Sequence, residues 1–270
     1  MLYEREFELG CKLSPYDMRD HKVAAVGVLP DSFELDFSNI KIKNQGQVGS
    51  CVAHAMSTIL EYHNKGYNTL STNFFYGLQN EYCGHDGKGM YLRDACKMAT
   101  NLGDALEEDC PGNTEVPKCR DVALKAYDNE EAMEKALHFR TKSYYSCSNN
   151  NDIKYALINY GPILASVKWY RDFKVNSKGV LIGGQGQEDG NHCIVIYGYN
   201  ETGFLCQNSW GKNWGNKGRF VLPYSIKVRE ARGLIDLEND DYIAPPKPNK
   251  FLNQLFKILN YIINLLRNKS

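Results

Sequence analysis

Midway along the chain the spacing of apolar residues switches from a helical to a strand-like period. That switch limits the fold more than any other feature of the sequence. Residues 50–66 read as a helix: Val52, Met56, Ile59 and His63 recur at helical spacing, Ser50 stands at an N-cap position, and Gly66 supplies a stop. Further helices are expected over 72–82, 92–102 and 152–160. Short runs rich in β-branched and aromatic residues follow at 163–169, 192–199, 204–208 and 218–222, bounded by Gly and Asn. Asn200-Glu-Thr-Gly203 joins two of them as a hairpin loop. Helices first and strands later define an α+β protein.

Composition removes several function classes. The 270 residues carry 32 basic and 32 acidic side chains, so no excess positive charge points to a nucleic-acid partner. The nine cysteines are irregularly spaced, with no C-x2-C pair of the kind that holds zinc, so no metal and no cofactor is expected. No apolar run reaches the length of a membrane span, and the charged first residues do not resemble a signal peptide. The expected location is therefore cytoplasmic, with most thiols reduced.

The chain divides into an arm (1–29), a main domain (30–243), a proline-rich linker (244–250) and a tail (251–270). In the tail, Leu252, Leu255, Leu259, Ile262 and Leu266 form one apolar stripe opposite Asn253, Lys257, Asn260, Asn264 and Arg267. Such a helix docks on protein, its own domain or a second copy included. The alternative is a membrane surface, favoured by Lys250, Lys257, Arg267 and Lys269 with no acidic residue in the segment.

The chemistry concentrates at Asn44-Gln-Gly-Gln-Val-Gly-Ser-Cys51. A cysteine in the first turn of a helix sits beside unpaired N–H groups and the positive end of the helix dipole, which favour a thiolate. The Gln45 amide and the Cys51 N–H supply two donors for an oxyanion. His192 and Asn208 each lie eight residues from Asn200. In an antiparallel pair they would face one another, so that Asn208 orients the imidazole as a base. A buried core thiol and a structural histidine are the plainer readings of either residue taken alone.

Together these residues resemble the papain family of cysteine proteases. Gln45-x5-Cys51, Gly49-Ser-Cys51, Asn191-His192 opening a strand, and Asn208-Ser-Trp-Gly-Lys-Asn-Trp-Gly-Asn-Lys-Gly218 carry the likeness, which spans roughly residues 30–240. The resemblance implies a two-lobed papain-like fold: a helical left lobe, an antiparallel β-barrel-like right lobe and a cleft between them. It further implies a cysteine endopeptidase acting on polypeptides, with catalytic Cys51, His192, Asn208 and Gln45. Trp210 would shield the His192–Asn208 bond. The thiol and imidazole would rest as an ion pair.

The sequence also departs from the family pattern. Val48 stands where a disulfide-bonded cysteine is usual, Val52 where tryptophan is usual, and His54 where an aromatic is common. His54 is read as structural, with a rival base as the alternative. The arm resembles those of compact, short-leader members from bacteria and viruses, so activity is expected without a large cleavage. A catalytically silent binding module, or a transpeptidase or deamidase using the same thioester, are the competing functions.

Overall fold

In the computed structural model, which describes residues 7–84, 88–112 and 116–236, Cys51 opens helix α1 (Cys51–His63). The segment contains no glycine or proline, and eleven of its thirteen residues are buried, which is why tertiary packing holds it. Ser50 does not cap it through its side chain. Its hydroxyl turns instead to the Val48 carbonyl at 3.4 Å and to His54 Nδ1 at 3.2 Å. The helix ends at Asn64, and the chain reverses as Gly66 N–H donates to the Glu61 carbonyl at 2.7 Å with Gly66 at φ 71°.

Helix α2 (Thr72–Cys83) starts where the Ser71 hydroxyl accepts from the N–H groups of Asn73 and Phe74, and stops at Gly84 in the left-handed region. Helix α3 (Leu92–Asn101) follows. Helices α4 (Val116–Asp128) and α5 (Glu130–Leu137) were not expected from the sequence. Helix α6 (Asn150–Tyr160) is capped by Asn149.

The main sheet holds eight strands. Its linear path runs β11 (Arg219–Pro223), β10 (Gly203–Gln207), β9 (Glu188–Tyr199), β6 (Ile163–Tyr170), β12 (Val228–Asp236), β5 (Thr141–Cys147) and β2 (Lys22–Val23). The eighth strand, β3 (Phe33–Glu34), pairs antiparallel with the far end of β9. Among the described residues the path stays open and does not close into a barrel. Strands β5 and β12 were not read from the sequence.

Alternation along β9 divides the interior in two. Cys193, Val195 and Tyr197 pack with the helices, while Ile194, Ile196 and Tyr199 pack in a second core with β6, β10 and α6. These cores belong to the two lobes. Each fully buried Val, Leu or Ile among them contributes about 1.5–3 kcal/mol.

The arm is built into the same domain. Strand β1 (Cys11–Lys12) pairs with β4 (Met90–Tyr91), and β2 pairs with β5. Between these two strands Asp20 accepts from Arg93 of α3 at 2.6 Å and from Arg232 of β12 at 2.8 Å. The three side chains are largely buried. Small strands β7 (Lys174–Val175) and β8 (Leu181–Ile182) form a separate ribbon. No helix among the described residues is long and apolar enough to cross a membrane. The linker and the amphipathic tail lie outside the described residues.

Candidate active site

A single antiparallel bridge, Asn44 with Trp210, ties the loop before α1 to the segment after β10. It is reinforced by Gln45 N–H donating to the Ser209 carbonyl and Gly211 N–H donating to the Lys43 carbonyl, both at 2.9 Å. The left-handed Gly46, at φ 54°, turns the loop so that Cys51 begins the helix a few residues later. Gln45 and Asn208 are thereby brought to the same place from opposite halves of the sequence.

His192 Nε2 lies 2.7 Å from Asn208 Oδ1, and both side chains are buried. An amide oxygen only accepts, so Nε2 carries the proton and Nδ1 is the basic nitrogen of the neutral ring. Nδ1 is buried without a hydrogen-bond partner. The contact is the one expected, but the expected strand register is not its cause. A bulge between Leu205 and Cys206 shifts β10 so that Gln207 pairs with Val195, while His192 pairs with Val167 of β6. Asn208 has already left the strand, and its side chain reaches back to the ring.

Aromatic rings enclose that bond. Trp210 stacks on His192 at 4.5 Å between centroids, and Trp169 presents an edge at 5.1 Å. Trp169 was not anticipated, because a tryptophan near the end of a strand looks the same whether it packs core or covers a site. A hydrogen bond kept from water in this way is stronger than an exposed one.

Cys51 is fully buried. Burial pushes its thiol up to about 12, and neighbouring Cys11 adds to the rise, although the N–H groups of Cys193, Gly10 and Val52 act in the opposite direction. Burial likewise pulls His192 down to about 4 against the Asn208 hydrogen bond, which favours the charged ring. Both shifts run toward the neutral forms, against the expected resting ion pair, because desolvation outweighs the neighbouring N–H donors and the Asn208 hydrogen bond.

The arm is what closes the site. Gly10 runs so near Gly49 that a Cβ on it would fall 1.6 Å from the Gly49 carbonyl oxygen. Met90 N–H donates to the Gly10 carbonyl at 2.7 Å. Gln45 Nε2 donates to the Glu8 carbonyl at 2.7 Å. Phe7 stacks on Trp210 at 4.9 Å. Cys11 places its sulfur 3.1 Å from Ser166 Oγ, on the residue that pairs with Cys193 across β6 and β9. No sequence signal foretold these contacts, since most run through the arm's backbone.

His54 is tied to the residue that precedes its own helix, with Nδ1 3.0 Å from the Ser50 carbonyl oxygen. Burial pulls it to about 4. Among the described residues no cluster of histidine, cysteine and carboxylate side chains could hold a metal ion.

The model of the papain family cysteine proteases matches residues 29–233. The chain belongs to the papain family. Among its curated relatives is a cathepsin B-like cysteine proteinase 3 of Caenorhabditis elegans, 27% identical over 229 residues, covering 72% of this chain and 61% of that protein. The viral cathepsin of Adoxophyes honmai nucleopolyhedrovirus is 29% identical over 212 residues, covering 74% of this chain and 59% of that protein. This papain-family chain thus spans about 60% of the length of those two relatives.

Solved structures show the same papain-like fold. Xylellain, a cysteine protease from Xylella fastidiosa, superposes with a TM-score of 0.71 at 20% identity, covering 88% of this chain and all of that one. A procathepsin B from Trypanosoma congolense gives 0.66 at 16% identity, covering 86% and 87%.

Proposed function

We propose that this chain is a cysteine endopeptidase cutting polypeptides, with Cys51 as nucleophile, His192 as base and acid, Asn208 as orienter and Gln45 as oxyanion donor. One observation carries the reading. The Gln45 amide already donates to a peptide carbonyl, that of Glu8, while the thiol that opens α1 meets the N–H groups of Gly10 and Cys193 and the His192 ring is held by an amide oxygen. A substrate carbonyl placed where Glu8 lies would meet the same donor.

On this reading the arm leaves first and readmits water and substrate, which lowers the desolvation penalty on charge. Cys51 then passes its proton to His192 Nδ1. The thiolate adds to the scissile carbonyl, and the oxyanion is held by Gln45 Nε2 and the first-turn N–H of Cys51. A single donor of this kind is worth about 10²–10³-fold in rate. The tetrahedral species expels the amine, which takes the proton from His192, and leaves a thioester. Water, deprotonated by His192, attacks the thioester and returns the thiol.

An amine in place of water would give transpeptidation from the same thioester, and a silent binding module would form none. Thiols outside any disulfide at Cys11, Cys51, Cys83, Cys96, Cys110, Cys147, Cys193 and Cys206 support a reducing, cytoplasmic setting for the enzyme. The test is a peptide-library cleavage profile of the wild type against Cys51→Ala, with hydroxylamine added to trap thioester. Cleavage dependent on Cys51 sustains the proposal. Equal profiles, or amine transfer without hydrolysis, would replace it.

A further inference from the structure

Where the arm crosses the domain it brings one sulfur beside another. Cys11 Sγ donates to Ser166 Oγ at 3.1 Å. Ser166 is paired with Cys193 across β6 and β9. Residues directly opposed in an antiparallel pair share a face, with Cβ atoms about 4.5–5.5 Å apart. The Cys11 side chain is thereby set next to that of Cys193, and the two thiols are hydrogen-bonded to one another.

We propose that Cys11 and Cys193 are a redox modification site, which a hydroperoxide closes into a disulfide that fastens the arm across the proposed active site and a dithiol reopens. Neither sulfur takes part in the chemistry proposed for Cys51. The effect on turnover rests on the endopeptidase reading, whereas the disulfide and its hold on the arm do not.

The placement of the pair suits a fastening. Cys11 lies on the short strand β1, whose hold on β4 includes Met90 N–H donating to the Gly10 carbonyl. Cys193 lies on β9, which is bonded to β6 on one side and β10 on the other. Every contact that holds Phe7, Glu8 and Gly10 over the site is non-covalent and opens with local motion. A bond from Cys11 to Cys193 would tie that stretch to an interior strand of the sheet. Cys51 is the rival partner, in the same buried cluster. It meets the Gly10 N–H of the arm, however, while the Cys11 thiol is engaged by Ser166 and Cys193.

The chemistry balances with hydrogen peroxide as the oxidant. The Cys11 thiolate attacks one peroxide oxygen and the O–O bond breaks. The departing hydroxide takes the proton that the thiol lost and leaves as water, so Cys11 becomes a sulfenic acid. The Cys193 sulfur then attacks the Cys11 sulfur, the S–O bond breaks, and hydroxide leaves with the Cys193 proton as a second water. Two thiols are oxidised to one disulfide and one peroxide is reduced to two waters. Burial, together with the bond to Cys11, pushes the Cys193 thiol well above its ordinary range. Cys11 is therefore the sulfur that meets the oxidant, carried into water when the arm lifts. A dithiol reverses the bond by exchange and is itself oxidised to a disulfide.

The experiment uses the full chain, reduced with dithiothreitol, freed of it and treated with hydrogen peroxide. A Cys51→Ala background removes the neighbouring thiol and any self-cleavage. Peptide mapping without reduction should recover Cys11 joined to Cys193, and dithiothreitol should separate them. The Met90 amide proton, bonded to the Gly10 carbonyl, should exchange at least about tenfold more slowly after oxidation, because the arm opens less often. Cys11→Ser and Cys193→Ser should each abolish both effects, and the comparison of reduced with oxidised chain stands without either variant. With Cys51 in place, peroxide should slow iodoacetamide labelling of Cys51 at least about tenfold more than it does in Cys11→Ser, and dithiothreitol should restore it. Cys11 and Cys193 recovered as free thiols, Cys11 joined instead to Cys51, or a disulfide that leaves Met90 exchange unchanged would each overturn the proposal. A disulfide that slows Met90 exchange in a chain that cleaves no peptide when reduced would overturn the endopeptidase reading and leave the fastening intact.

Discussion

The side-chain nitrogen of Gln45 lies 2.7 Å from the backbone carbonyl oxygen of Glu8, in a site where Cys51 is fully buried. The proposed nucleophile and its proposed oxyanion donor are thus both met by the same arm, at Gly10 and at Glu8. On the proposed reading, access is what this arrangement withholds.

Lifting the arm should therefore change the thiol. Gly10→Ala forces a methyl group against the Gly49 carbonyl, which is backbone and cannot step aside. Iodoacetamide should label Cys51 at least about tenfold faster in that variant, and the pH midpoint of labelling should fall from its buried value near 12 as water returns. Labelling as slow as in the wild type would mean that the arm does not govern access.

The two buried histidines should separate cleanly. His192→Ala should lose about 10²–10⁴-fold in peptide hydrolysis, the usual worth of acid–base assistance. His54→Ala should keep most of its turnover and lose stability instead, since its ring bonds to Ser50 and to the Asn44 backbone at the entrance to α1. Loss of activity in His54→Ala with retention in His192→Ala would reverse the roles.

Stability should fall on acidification. His54 and His192 both ionise near 4 in the folded chain, below the 6.5 of the free side chain. Between those values the unfolded chain binds protons that the folded chain does not, so stability is lost as pH drops from 6.5 toward 4. The slope is about 1.4 kcal/mol per pH unit for each histidine. Urea titrations at pH 7, 5.5 and 4.5 measure it. A flat midpoint would show that one or both rings take a proton in the native state.

Asp20→Asn should cost about 3 kcal/mol in denaturant unfolding, because it leaves Arg93 and Arg232 buried with one negative charge fewer between them. Arg232 keeps Glu230 at 2.6 Å, so Asp20→Asn combined with Glu230→Gln should be worse than either alone. An unchanged midpoint would place the pair in solvent.

The four proposed site residues were legible because their neighbours are peculiar to a tight loop and a turn: Gly46 before Cys51, and Gly211 and Gly218 after Asn208. The helices of the first half were legible through Met56, Ile59 and their neighbours. Helices α4 and α5 were not, because apart from Cys119 their buried residues are Ala123, Ala126, Ala132 and Ala136, and alanine carries little periodic signal. Strand β12 was hidden by Glu230 and Arg232, charged residues at largely buried positions that Asp20 and Ser14 satisfy from far away in sequence. The arm had no pattern to read, since Glu8 and Gly10 act through carbonyl oxygens that every residue possesses.

Asp20 gives the arm a second hold that is independent of the first. A scission between Lys12 and Asp20 would release the covering strand and leave the downstream stretch moored to both lobes, so uncovering the cleft and detaching the leader are separable events. The arm works as a stopper on a leash, and a single break in the leash would be enough to uncork the site without loosening the bottle.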